Sequence, residues 1–129
     1  MKQIIYFFLS FLLLPSMLYA GNDPNIPSGV KAKVQTAMQA HVNSLMAKNG
    51  GSYPIFDPGT REVVQLNFKG LHKGVVVKGN QGKYYISCAD FTDQKGGEYD
   101  LDFLVSTNFE VVETLVHKKN GEKMHYSVH

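Results

Sequence analysis

The stretch Asp100-Leu101-Asp102 sets two carboxylates on alternate residues, and Glu113, His117 and His125 follow within a short span of chain. In an extended strand, alternate side chains share a face and lie ~6.5–7 Å apart. That spacing falls within the range used by carboxyl pairs that divide acid and base work. Carboxylates gathered with imidazoles, among Asp100, Asp102, Glu113, His117 and His125, also suit zinc or a harder cation. A lone thiol is weighed separately, as a reactive group or a filler of space: Cys88, the only cysteine in 129 residues, sits in KYYISCADFTD, residues 83–93. Metal ligation, carboxylate catalysis and thiol reactivity are the chemistries to weigh.

The elements that must position these residues begin after residue 20. Residues 1–20, MKQIIYFFLSFLLLPSMLYA, have a charged start, a short apolar run and a small residue at the end. This is the pattern of a cleaved secretory signal, and it predicts a periplasmic or secreted protein with no membrane attachment after cleavage. Residues 21–28 read as a polar linker and 29–129 as one domain. The formal charge of the whole chain is +2 and falls by one without Lys2, which offers no electrostatic basis for binding nucleic acid or an anionic membrane. One cysteine forms no internal disulfide, so packing alone must hold the fold.

Val30, Val34, Met38, Val42, Leu45 and Met46 recur at helical steps, predicting a helix over 29–48. Ser28 is placed to cap it, and Asn49-Gly50-Gly51 to end it. Residues 52–61 are rich in proline and predict an extended arm with a turn at Asp57-Pro58-Gly59. Strands follow at 62–68 and 71–78 (one strand bent near Gly70), then 83–92, 98–106, 109–118 and 122–129, separated by turn-rich segments. The predicted class is α+β, one N-terminal helix packed on a curved antiparallel meander.

This element order resembles the cystatin/NTF2-like group of small α+β domains over most of the chain that follows the signal. No QxVxG inhibitory loop is present, and no family residue carries over onto this sequence. The resemblance implies a helix cradled by a curved sheet, on a scaffold that serves as inhibitor, binding module, dimerisation unit and occasional enzyme.

Turn lengths predict which residues face the helix. A three-residue Lys119-Asn120-Gly121 loop, a tight Thr107-Asn108 turn and the longer loop after Thr92 together put Ile86, Cys88, Leu101, Phe103, Val112, Val116, Met124 and Tyr126 on one apolar layer. Cys88 then lies opposite Phe103 as an inert core thiol. The opposite face receives His72, Ala89, Asp102, Glu113 and Ser127 in one row, with Asp100, His125, Phe91 and Leu115 beside them and His117 further out. Asp102 is expected opposite Glu113, a like-charge pair that needs a proton, a cation or a basic side chain to offset it.

Tyr85, Phe91, Leu104, Val111 and Leu115 give that face an apolar component, which the arm at 52–61 could cover. An apolar patch bordered by polar groups suits association with a protein partner or a second copy. The sequence contains no nucleophile elbow, no Ser–His–Asp order and no phosphate loop, and it calls for no organic cofactor. The leading expectation is an exported, non-catalytic binding or assembly module. The alternative is a metal-binding or carboxylate-based enzyme working on the acidic and histidine-bearing face.

Overall fold

A computed structural model describes residues 21–79 and 84–126. Residues 1–20, where the signal is expected, residues 80–83, which hold most of the expected GNQG turn, and residues 127–129 lie outside the described residues. Helix α1 spans Ser28–Lys48. Its steps of four carry Val34, Met38 and Val42 to full burial, each stabilising the fold by roughly 1.5–3 kcal/mol relative to exposure. Ser28 makes no capping hydrogen bond; Pro27 occupies the cap position, where its fixed φ favours helix entry without one. At the other end Gly50 and Gly51 take positive φ, and the Gly51 amide donates to the Met46 carbonyl at 2.7 Å. No helix among the described residues is long and apolar enough to cross a membrane.

The seven strands are β1 (Tyr53–Asp57), β2 (Glu62–Leu71), β3 (Val76–Lys78), β4 (Tyr84–Thr92), β5 (Glu98–Ser106), β6 (Val111–Lys119) and β7 (Glu122–Lys123). They pair antiparallel in the order β1-β2-β4-β5-β6-β7, with β3 also on β4. β2 and β3 are the two halves of the predicted bent strand, both laid against β4, with a bulge between Phe68 and Gly70. The expected arm is not loose over the outer face. It forms edge strand β1, because Pro54 is tolerated at a sheet edge and Tyr53 and Ile55 have a core to enter. Segment 21–23 is tied down as well: the Asp23 amide donates to Val75 O at 2.8 Å.

The sheet curls strongly into a half-barrel around α1, so the fold is the α+β class with an N-terminal helix. Tyr53, Leu66, Ala89, Phe91, Leu101, Phe103, Val105 and Val116 meet the helix in one buried core. The curl brings β1 back toward β6, where Tyr53 Oη donates to Thr114 Oγ1 at 3.0 Å and Lys119 Nζ donates to Asp57 Oδ2 at 2.7 Å.

Several predicted registers are corrected. The β4–β5 loop pairs Thr92 with Glu98 rather than Tyr99, so Cys88 faces Asp102 and not Phe103. A slip of one residue turns a whole strand over: Cys88 moves to the outer face, while Ala89, Phe91 and Tyr85 move to the helix side. The β5–β6 connection is a three-residue loop with Phe109 at φ 62°, and the bulge between Leu104 and Val105 leaves Val112 51% exposed. The last hairpin uses the two-residue Asn120-Gly121 turn, both residues at positive φ, pairing Lys119 with Glu122.

Candidate metal centre

Asp100 and Asp102 both leave β5 on the face away from α1, as the alternation of Leu101 and Phe103 into the core requires. Across β4, register places Cys88 opposite Asp102 and Asp90 opposite Asp100. Across β6, Asp102 faces Leu115 rather than Glu113, and Glu113 falls opposite Leu104 on an exposed site. The bulge between Asp100 and Leu101 makes His117 an extra residue and aims its ring at both aspartates.

One ligand atom from each of Cys88, Asp100, Asp102 and His117 lies within 4.8 Å of every other. The Cys88 thiol donates to Asp102 Oδ1 at 2.8 Å. His117 Nδ1 is 3.3 Å from Asp102 Oδ1 and 3.7 Å from Asp100 Oδ2. Neither approach has hydrogen-bond geometry: His117 Nδ1 and Asp100 Oδ1 are buried atoms with no partner. Metal–ligand bonds of tetrahedral zinc put ligand atoms about 3.3–3.7 Å apart. The 3.3 Å separation of His117 and Asp102 matches such an edge, while the 2.8 Å Cys88–Asp102 contact is a hydrogen bond that an entering ion must open. Asp102, 5% exposed, also accepts a hydrogen bond from the Tyr126 hydroxyl.

The electrostatics disfavour a reactive thiol. Burial raises the Cys88 pKa, and the neighbouring Asp102, Asp100 and Asp90 carboxylates raise it further. Burial likewise lifts Asp100, with Asp102 and Asp90 adding to the rise and His72 and His117 opposing it. Burial and the bond to Asp102 raise the Tyr126 phenol. A thiol held protonated is a poor nucleophile, yet a cation can replace its proton and use the sulfur as a ligand.

Of the residues singled out in the sequence, Asp100, Asp102 and His117 converge. His72 stands beside them, its Nε2 2.8 Å from Asp90 Oδ1. His125 is exposed and lines a cleft of about 530 Å³ together with Cys88, Asp102, His117 and Tyr126. Leu115 is half-buried on the outer face. Phe91, 1% exposed, belongs to the core, and Tyr85 stacks on Phe109 with ring centroids 6.0 Å apart. Leu104 faces outward but is only 3% exposed, so among the described residues it adds nothing to the expected apolar patch. Exposed Phe56 and Val63 instead face one another across β1 and β2.

The sequence reading missed Cys88, Asp90 and Tyr126 as members of this face. One signal was available: the register that put Cys88 inside also put Asp90 inside and Phe91 outside, an inversion of ordinary burial preference. Comparison of the chain with protein-family models, with curated proteins and with solved structures finds no match.

Proposed function

We propose that the protein is an exported, non-catalytic binding module whose ligand is a divalent ion of the zinc class. Cys88 Sγ, His117 Nδ1 and one carboxylate oxygen each from Asp100 and Asp102 hold the ion. The observation that carries this reading is the convergence of four donor atoms within 4.8 Å, two of the four side chains bearing buried atoms with no hydrogen-bond partner. The donor set mixes thiolate, imidazole and carboxylate, which suits zinc rather than calcium or magnesium. Four protein donors fill a tetrahedral shell and leave no position for a reacting water, which favours storage or binding over catalysis. On binding, the thiol proton passes to solvent and the metal–sulfur bond takes its place.

Export is supported by residues 1–20 alone, and the mass of protein recovered from outside the cytoplasm tests it: cleavage after Ala20 is expected. Cobalt titration of the mature protein tests the ligand set. A thiolate-to-cobalt charge-transfer band is expected, absent in Cys88→Ser and strongly weakened in Asp102→Asn. A wild-type protein that shows no such band and retains no zinc through purification without chelator overturns the reading.

A further inference from the structure

Asp100 takes part in a second group of donors. His72, Asp90 and Asp100 also bring one ligand atom each within 4.8 Å of one another. Asp90 and Asp100 are direct cross-strand partners on β4 and β5, and like charges in that relation repel; Asp90 is offset by His72 at 2.8 Å, and Asp100 faces Lys118 across β6. His72 follows the end of β2, where its amide donates to Cys88 O at 2.8 Å, and this fixes its backbone against β4. The Asp100 side chain is 18% exposed, and its Oδ1 is buried without a partner. It stands between two clefts: Asp102, Cys88 and His117 line one, while Asp90 and Asp100 line the other, of about 410 Å³.

We infer that the outer face binds two zinc-class ions, with Asp100 as the bridging carboxylate, the second ion being held by His72 and Asp90. This rests on the metal-binding reading of the first site. A carboxylate with two oxygens and no firm hydrogen bond can serve one ion with each, and carboxylate-bridged pairs of ions lie about 3.5–4 Å apart. The two positions are unequal. The first has four protein donors and is closed. The second has three, flanked by exposed side chains, and keeps a coordination position open to the cleft for water or an outside ligand. It is therefore the weaker and more exchangeable of the two.

Cobalt titration of the intact mature protein, read by native mass spectrometry and by the thiolate-to-cobalt band, tests the inference. Wild type takes up two ions, the band saturating with the first. His72→Ala and Asp90→Asn, both at solvent-accessible positions, each keep the band and weaken the second ion more than about 100-fold, beyond what loss of an outer-shell partner costs. Asp100→Asn weakens both ions. The paramagnetic resonance signal of the first cobalt falls on adding the second, through coupling across the bridge. Saturation at one ion with the band intact overturns the second site and leaves the first standing. Two ions bound with no response to His72→Ala and Asp90→Asn also overturn it. Loss of the band in wild type removes the first reading itself.

Discussion

Lys119 Nζ lies 2.7 Å from Asp57 Oδ2, joining the C-terminal end of β6 to the end of edge strand β1. Asp57 is fully buried, and it also accepts hydrogen bonds from Tyr99 Oη at 3.0 Å and the Gly59 amide at 2.8 Å. Burial alone pushes its pKa up, but the bonds from Lys119, Gly59 and Tyr99 together outweigh this and hold the carboxyl below its ordinary value. Lys119→Met leaves a buried carboxylate without its cation and is expected to cost about 3 kcal/mol, measured by urea unfolding at neutral pH. The folded pKa lies below the unfolded one, so the stabilisation is fully present above the unfolded value near 3.8 and fades as pH falls through the folded value. Asp57→Asn should flatten that acid limb of the stability curve. An unchanged limb would refute the assignment.

Met38 is fully buried where α1 crosses the sheet. Met38→Ala removes its contacts and leaves a cavity, at an expected loss of about 2–5 kcal/mol. Met38→Leu, close in volume, should cost under about 1.5 kcal/mol. Equal effects of the two substitutions on the denaturant midpoint would argue that the helix does not pack through this residue.

Cys88 should alkylate far more slowly in the native protein than after unfolding, because burial and the adjoining carboxylates keep the thiol protonated. Asp102→Asn removes an acceptor and a negative charge, so native-state alkylation by iodoacetamide at pH 8 should quicken. Equal rates in folded and unfolded wild type would contradict the placement of Cys88 beside Asp102.

Gly74 is the close approach that seats segment 21–23. A Cβ there would come within 2.5 Å of the Gly21 carbonyl oxygen. Gly74→Ala should displace the segment and weaken the bonds of Asn22 Oδ1 to the Val75 amide, 3.3 Å, and to Lys31 Nζ, 2.8 Å. The expected loss is about 1–3 kcal/mol, with faster amide exchange at Val75. Unaltered exchange there would show that the segment accommodates the methyl group.

The helix was legible because its stripe, Val30 to Met46, repeats at helical steps over more than four turns, and β5 was legible because Leu101 and Phe103 alternate with Asp100 and Asp102. Strand β4 was misread at its loop. The Asp93 side chain accepts from the Lys95 and Gly97 amides at 2.9 and 2.7 Å, closing a tight loop that pairs Thr92 with Glu98. Counting turn residues does not reveal that closure. Phe109 at positive φ, in a position that ordinarily selects glycine, hid the length of the next loop, and bulges leave no mark on alternation until the partner strand is known. Of the candidate site, the two aspartates and His117 were therefore readable by type. Their assembly with Cys88, a cross-strand fact, was not.

The extra residue at the β6 bulge has an effect on both sides of the sheet. With strict alternation after Val116, Lys118 would point toward the helix and Lys119 away from it. The bulge delays the alternation by one step, so His117 and Lys118 both look outward and Lys119 turns inward to reach Asp57. A single inserted backbone unit thus sets the face on which the ammonium that neutralises a buried acid emerges. Regularising the ladder with every residue kept would turn Lys119 outward and strand Asp57, whereas deleting Lys118 would remove the bulge and leave both His117 and Lys119 on their present faces.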